Sequence, residues 1–203
     1  LSGGDPLTLS DRRLDEILQR LDEIDHVETI RIHTRVPIAE PARITPKFCE
    51  VLTIKTPIFV VVHCNHVSEI AGQVAVGLRL LVEAGIPLLS QTVLLKGVND
   101  DVGTLSALML SLVRHRVKPY YLHHADLAPG TTHFRTSIAE GQALMRALRQ
   151  LVPGPCVPSY VIDIPGGHGK VPIGPTFLSL DGSGALIIED DEGHSHIYEE
   201  DGR

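Results

Sequence analysis

The residues best suited to do chemistry lie in a glycine-rich stretch near the end of the chain, Asp163-Ile164-Pro165-Gly166-Gly167-His168-Gly169-Lys170. Glycines leave backbone amides free and allow a ligand to approach closely. A lysine at the far end of such a turn can reach a phosphate or form a Schiff base with an aldehyde cofactor. The spacing is not that of a Walker loop, because no serine or threonine follows the lysine. Taken by itself, the stretch is more often a surface turn with an exposed lysine.

Two other carboxylates follow predicted strands. Asp126 comes after the segment 120–125 and can bind an ammonium group, hold a metal or cap the next loop. Asp5 follows Gly3 and Gly4, whose backbone groups are exposed at a strand end, and its carboxylate can accept a hydrogen bond from an amine. An ordinary turn is the default interpretation of a lone Gly-Gly-Asp.

Polar residues also interrupt two apolar strands. Gln91 lies within an apolar run, so its burial requires hydrogen-bond partners. His63 begins the sequence His63-Cys64-Asn65-His66, whose spacing matches no common zinc pattern. A strand-end histidine with satisfied hydrogen bonds is the simpler interpretation.

Alternating strands and helices must position these residues. Apolar runs predict strands at about residues 27–32, 58–63, 88–95 and 118–123, and helical spacing predicts helices at about 11–24, 46–52, 68–84, 101–116 and 137–151. This alternation indicates a parallel sheet covered by helices. A closed eight-fold barrel usually needs about 250 residues. We therefore predict an α/β fold, a partial (β/α) TIM-like barrel with a small C-terminal β-containing extension.

The expected division places the partial, N-terminally truncated barrel at residues 1–151 and the extension at 152–203. Prolines become frequent after Leu151, and the segments 176–180 and 185–189 predict a hairpin, with a third strand at 194–198. In barrels of this kind, chemistry collects at the carboxyl ends of the strands. The polar rim there comprises residues 3–5, 33–35, 63, 91 and 123–126.

Composition excludes several classes of protein. The net charge of −7 and the lack of a basic block predict no nucleic-acid partner, and no apolar run is long enough to predict a membrane span. Three widely spaced cysteines argue against a disulfide framework and favour the cytoplasm. The chain begins at Leu1 as if cut from a longer protein.

The ordered set of motifs resembles the lysine 2,3-aminomutase family, enzymes that use S-adenosylmethionine, a 4Fe–4S cluster and pyridoxal phosphate to interconvert L-lysine and L-β-lysine. The resemblance runs through nearly the whole chain and rests on residues 2–5, 43–46, 63–66, 91–100, 119–121, 133–136, 156–158 and 163–170.

The resemblance implies a role for each matching position. Lys170 matches the catalytic lysine that attaches pyridoxal phosphate, and Asp126 and Asp163 match the carboxylates that hold the distal ammonium of substrate lysine. Six positions match the surroundings of S-adenosylmethionine. They are Gly3, Gly4 and Asp5, in the motif for its amino group, and Gln91, His63 and Arg35.

The departures from the family matter as well. The CxxxCxxC motif that binds the cluster is absent, so the cluster ligands are expected outside this chain, and the chain by itself is expected to be inactive. Asp101 stands where the clostridial-type enzymes have a zinc-binding cysteine, so we predict no metal site here. His123 replaces a tyrosine of those enzymes. The intact protein is expected to form a homo-oligomer.

Two alternatives remain open. A related branch of the family isomerises a lysine and passes it to elongation factor P, and this chain resembles that branch at residues 6–7 and 121–123. Asp163 and the long tail after Lys170 favour free lysine as the substrate. The other alternative is a non-catalytic module that binds pyridoxal phosphate or an amine.

Overall fold

A six-stranded sheet organises the chain, and the computed structural model describes it within residues 1–199. Neighbouring strands follow the order of the chain: β1 (Ile30–Thr34), β2 (Ile58–His63), β3 (Leu88–Val93), β4 (Val117–His123), β5 (Ser159–Asp163) and β6 (Lys170–Pro172). The first five strands are parallel, and β6 returns antiparallel to β5. The sheet curls into a half-barrel, which agrees with the predicted α/β class.

Six α-helices connect or flank these strands: α1 (Asp11–Asp22), α2 (Val36–Ala39), α3 (Pro46–Val51), α4 (Gln73–Glu83), α5 (Val102–Arg114) and α6 (Ile138–Leu151). Side-chain oxygens cap four of them, because the first backbone N–H groups of a helix lack partners within it. The capping residues are Ser10, Thr45, Asp101 and Ser137.

The two faces of the sheet differ in chemistry, since alternate residues of a strand point to opposite sides. One face carries apolar side chains that join the helices in the hydrophobic core, among them Ile32, Val60, Val62, Leu122 and Tyr160. The other, which we call the polar face, carries side chains in register across the strands. They include His33, His63, Gln91, Tyr121, His123, Asp163 and Lys170.

One predicted helix is divided in the structure, and one strand was not predicted. The helix expected at 68–84 is split into a 3-10 turn, Val67–Glu69, and α4, because Gly72 has φ +50° and ψ −119°. The glycine permits a backbone conformation that other residues rarely adopt. The strand β6 has no apolar pattern of its own and was not expected from the sequence.

The C-terminal region forms a second sheet, as predicted. Its strands β7 (Leu178–Leu180), β8 (Leu186–Glu189) and β9 (Ser195–Tyr198) are antiparallel. Strands β5 and β6 also lie after Leu151 but belong to the large sheet. The division at residue 151 stays a prediction, and residues 200–203 of the predicted extension lie outside the described residues.

Two further features bear on the sequence analysis. All three cysteines are buried and free, as the odd count and wide spacing predicted. Within residues 1–199, no helix combines the length and apolar character needed to cross a membrane.

Candidate active site

The glycine-rich stretch is the connection of a β-hairpin. Asp163 ends β5 and Lys170 begins β6, and the two residues lie directly opposite each other in the antiparallel register. The loop is closed by a bond of 2.8 Å from Ile164 N to Gly169 O. Gly166, Gly167 and Gly169 all have φ between +80° and +94°, a region that suits glycine. The turn therefore sets the carboxylate and the amine side by side on the polar face.

An ion pair joins these two side chains. Lys170 Nζ donates to Asp163 Oδ1 at 2.6 Å and to Oδ2 at 2.5 Å. His123 Nδ1 lies 3.1 Å from Asp163 Oδ2 and 3.2 Å from Lys170 Nζ. The Tyr121 ring is 5.5 Å from Nζ. Lys170 is only 26% exposed and Asp163 44%, so the half-buried lysine differs from the exposed one of an ordinary surface turn.

The charges in this cluster are set by its geometry. Burial acts to raise the pKa of Asp163, but the hydrogen bonds from Lys170 and His123 outweigh it, and the pKa is lowered. Burial and the Lys170 charge lower the pKa of His123, although Asp163 opposes them. The cluster at neutral pH is therefore a carboxylate beside a neutral imidazole. His123 Nε2 is buried without a hydrogen-bond partner among the described residues.

A second group of polar residues lines a cavity of about 250 Å³ at the carboxyl ends of β1, β2 and β3. All six positions that the resemblance assigned to S-adenosylmethionine line it: Gly3, Gly4, Asp5, Arg35, His63 and Gln91. Gly3 and Gly4 have φ of +89° and +68°, and a Cβ at either position would meet no atom within 4 Å. These glycines are needed for the turn itself, and they leave its backbone open to the cavity.

Asp5 has a structural role that the sequence did not reveal. Its Oδ1 accepts hydrogen bonds from Leu7 N at 3.1 Å and Thr34 Oγ1 at 2.7 Å. Its Oδ2 accepts from Arg35 N at 2.6 Å. The carboxylate thus fastens the glycine turn to the end of β1.

Glu69 is a residue of this site that sequence reasoning missed. Its Oε2 accepts from Arg35 Nη2 at 2.6 Å, and its Oε1 accepts from Asn65 N at 2.7 Å and His66 N at 2.8 Å. A glutamate three residues after a possible capping residue is a recognisable signal, and His66 with Glu69 forms such a capping box. Glu69 therefore fixes both Arg35 and the loop after β2.

His63 has a defined tautomer. Asn65 Oδ1 accepts from Val93 N at 2.9 Å and lies 3.1 Å from His63 Nε2. Because the amide oxygen is the acceptor, His63 donates from Nε2 and its Nδ1 carries a lone pair. Burial and the nearby Arg35 charge lower the pKa of His63, which favours this neutral form.

Gln91 has the partner that its burial required. Its Oε1 lies 2.9 Å from His33 Nδ1. His33, which lies on the same polar face, was noted in the sequence only as part of the polar rim. The pair joins the first and third strands across the floor of the cavity.

Asn99 is a second residue whose role sequence reasoning missed. It is fully buried. Its Nδ2 donates to Asn65 O at 2.8 Å and Val93 O at 2.9 Å, and its Oδ1 accepts from Leu95 N at 2.8 Å. The side chain ties together the loops that follow β2 and β3.

Asp126 lies apart from the ion pair. It is exposed in the loop after β4. Burial lowers the pKa of both His123 and His124, and the negative charge of Asp126 acts against this without outweighing it. Within residues 1–199 it forms no hydrogen bond or salt bridge with another side chain. The structure thus brings Asp163 to Lys170 and leaves Asp126 on the rim.

Several known proteins are similar in sequence to this chain. The chain is 43% identical to the L-lysine 2,3-aminomutase of Acetoanaerobium sticklandii over 98% of its length, covering 48% of that protein. It is 46% identical to the Methanococcus maripaludis protein of the same name over 98% of the chain and 46% of that protein. The chain is a homologue of the L-lysine 2,3-aminomutases. It spans about half the length of these relatives, and no family model matches it.

One relative carries a different substrate in its name. The glutamate 2,3-aminomutase of Clostridioides difficile is 38% identical over 95% of the chain and 46% of that protein. Its identity is close to that of the lysine 2,3-aminomutases. Overall identity therefore does not separate relatives named for lysine from the relative named for glutamate, and individual side chains must make that distinction.

Proposed function

We propose that this chain carries the pyridoxal-phosphate lysine and the substrate-ammonium carboxylates of an L-lysine 2,3-aminomutase, an isomerase that interconverts L-lysine and L-β-lysine. The observation that carries the proposal is the cross-strand pair of Asp163 and Lys170, 2.5 Å apart on the polar face. The pair places a nucleophilic amine next to an acceptor for an ammonium group. Around it, residues 1–151 would form part of a TIM-like barrel and residues 152–203 its substrate-binding extension.

The residues present fit pyridoxal phosphate. Lys170 offers a half-buried primary amine, and the Tyr121 ring forms an apolar wall beside it. The loop at 164–169 leads directly into Lys170, and its glycines carry no side chains that would cover the backbone. When bound, the cofactor would supply the carbonyl carbon to which the Lys170 amine is joined. It would also supply the π-system through which an amino group migrates.

The cavity at the ends of β1–β3 fits the polar part of S-adenosylmethionine. Gly3 and Gly4 expose their backbone, while His63 Nδ1 and the Gln91 amide provide polar side-chain groups. The volume of about 250 Å³ is slightly below the range of about 300–1,000 Å³ for whole small-molecule sites, which suits part of a ligand. Arg35, held by Glu69, adds a positive charge at the rim.

The described residues do not fit a 4Fe–4S cluster. The three cysteines are buried at separate positions in the sequence, and no group of three potential metal ligands occurs within residues 1–199. The ligands of such a cluster are proposed to lie outside this chain.

Asp163 would select the substrate. The Asp163 carboxylate is only partly exposed to solvent. A partner with a full positive charge therefore stabilises it most, because a charge removed from water without a partner is costly. Lysine has an ammonium at its distal end, whereas glutamate has a carboxylate, which Asp163 would repel. Asp126 lies close enough to add a second negative charge. The proposed substrate is therefore lysine rather than glutamate. Asp163 and the long tail after Lys170 favour free lysine over the branch that passes its lysine to elongation factor P.

Absorbance spectroscopy tests the cofactor assignment. Pyridoxal phosphate is added to the wild-type protein, to Lys170→Ala and to Lys47→Ala, which removes an exposed lysine of α3. We expect the absorbance of the lysine-bound cofactor in the wild type and Lys47→Ala and its loss in Lys170→Ala. Persistence of the band in Lys170→Ala would assign the attachment to another residue.

The homo-oligomeric state and cytoplasmic location also remain proposals.

A further inference from the structure

A cleft lies between α4 and the end of α5, away from the residues of the candidate active site. We call it the α4–α5 cleft, and its wall includes Val76, Arg79 and Val82 of α4 together with Arg114 and Arg116. Its volume of about 400 Å³ falls within the range of about 300–1,000 Å³ for small-molecule sites. The cleft is therefore large enough for a ligand of its own.

The topology of the sheet separates this cleft from the polar face. Helices α4 and α5 end shortly before the strands β3 and β4 begin. The cleft therefore lies near the amino ends of these strands and among the helices. The candidate active-site residues lie on the opposite face of the sheet, towards the carboxyl ends of the strands.

Positive charge dominates the cleft. Three guanidinium groups line it, those of Arg79, Arg114 and Arg116, against the single carboxylate of Glu83. Arg79 Nε lies 3.7 Å from Glu83 Oε1, and with side chains 64% and 62% exposed this ion pair contributes little. Arg114 and Arg116 have no salt bridge within residues 1–199. A chain with a net charge of −7 thus concentrates positive charge in one concave surface.

Arg116 has an unusual backbone conformation. Its φ is +59°, and every other residue with positive φ within residues 1–199 is a glycine. It follows His115, the C-cap of α5, at a position where glycine is the common residue. A β-carbon destabilises this conformation. The chain therefore places a long cationic side chain at the cleft where glycine would be less strained, and such strain is concentrated at binding sites.

The helix dipole does not account for all three arginines. Cations are favoured at the C-terminal end of a helix, and Arg114 is the last residue of α5. Arg79, however, lies in the middle of α4, and Arg116 lies beyond α5. Because the C-terminal end of α5 disfavours an anion, more than one arginine is needed to attract one.

We propose that the α4–α5 cleft binds a phosphate monoester with an aromatic body, at a site separate from the candidate active site. Guanidinium groups donate paired N–H bonds to phosphate oxygens and stack on aromatic rings. Ala75, Val76 and Val82 give the cleft an apolar side for the ring, and Val76 is 37% exposed. The inference does not depend on the function proposed above.

Phenyl phosphate tests the site, with benzyl alcohol as the uncharged analogue and inorganic phosphate as the anion without a ring. Calorimetry at constant ionic strength measures the affinities, and methyl NMR locates the ligand. We expect phenyl phosphate to bind more tightly than either control and to shift the methyl signals of Val76 and Val82. Absence of binding, or shifts at Val171 beside Lys170 without shifts at these two valines, would overturn the proposal.

Arginine variants separate binding from folding. Arg114→Gln and Arg116→Gly should each weaken phenyl phosphate binding at least about fivefold, because each removes a guanidinium group. Arg116→Gly should also melt at a higher temperature, since glycine relieves the strain at φ +59°. The matched control is Arg12→Gln, which removes an arginine of α1 that is 84% exposed and should keep the wild-type affinity.

The contrary results are equally defined. Wild-type affinity in both Arg114→Gln and Arg116→Gly would overturn the site. Equal affinity of the wild type for inorganic phosphate and phenyl phosphate would overturn the aromatic body. If Arg116→Gly melts at a lower temperature, the argument from strain is wrong, and Arg114→Gln then decides whether the cleft binds the phosphate.

Discussion

Replacing Asn99 by alanine should destabilise the protein strongly, although the residue contacts neither the ion pair nor the cavity wall. Its side chain makes three hydrogen bonds of 2.8–2.9 Å and is fully buried. Alanine would leave Asn65 O, Val93 O and Leu95 N without this partner. Each buried group left unpaired costs about 1–3 kcal/mol. Three such groups give about 3–9 kcal/mol, and the expected loss in the free energy of unfolding is the lower part of that range, about 3–5 kcal/mol, because single substitutions rarely cost more.

Urea denaturation followed by circular dichroism measures this loss, and the melting temperature should fall by about 6–20 °C for a chain of this size. Asp100→Ala is the matched control, because its exposed carboxylate makes one bond of 2.8 Å to Gly97 N in the same loop. We expect less than about 1 kcal/mol there. A loss below about 1 kcal/mol for Asn99→Ala would refute the view that this amide joins the two loops.

Three other perturbations have defined outcomes. Gly141→Ala should cost about 1–3 kcal/mol in urea denaturation, because the new Cβ would overlap the buried Tyr160 ring, whereas Gly154→Ala, in open space, should cost little; equal losses would contradict this packing. Gly4→Ala should cost about 1 kcal/mol in the same assay through strain at φ +68°, and no loss would argue against that turn. Because the pKa of Asp163 is lowered on folding, its stabilisation is present above its unfolded pKa and lost as pH falls through the folded value, so wild type should lose more stability than Asp163→Asn upon acid titration, and parallel curves would exclude the ion pair.

The sequence predicts the parallel part of the sheet well, for a physical reason. A strand buried on both faces is a continuous apolar run, and the segment 58–63 is such a run and forms β2 with those same bounds. The capping residues Ser10, Asp101 and Ser137 are likewise local signals, so helix starts were predicted within a residue or two.

What escapes prediction depends on contacts between distant residues. Strand β6 is three residues long and contains Pro172, and it becomes a strand only because the glycine turn folds it back on β5. The cross-strand position of Lys170 opposite Asp163 follows from that pairing. Asn99 donates hydrogen bonds to Asn65 O, 34 positions earlier in the chain, and to Val93 O, 6 positions earlier, and no local sequence pattern reveals this pair of contacts.

Functional roles were predicted less evenly. The resemblance named six residues that line a single cavity, but it did not reveal that the Asp5 carboxylate is engaged by Thr34 and by backbone N–H groups. It named His123 only as a departure from the family and did not reveal the contact of His123 with Asp163, which depends on the pairing of β4 with β5.

Peptide mapping tests the central claim most directly. The wild-type protein is incubated with pyridoxal phosphate, reduced with borohydride to fix the attached cofactor, digested and analysed by mass spectrometry. The chain has five lysines, Lys47, Lys55, Lys96, Lys118 and Lys170. We predict that the label falls on Lys170 at one equivalent. Labelling spread over the other lysines, or concentrated on one of them, would contradict the assignment.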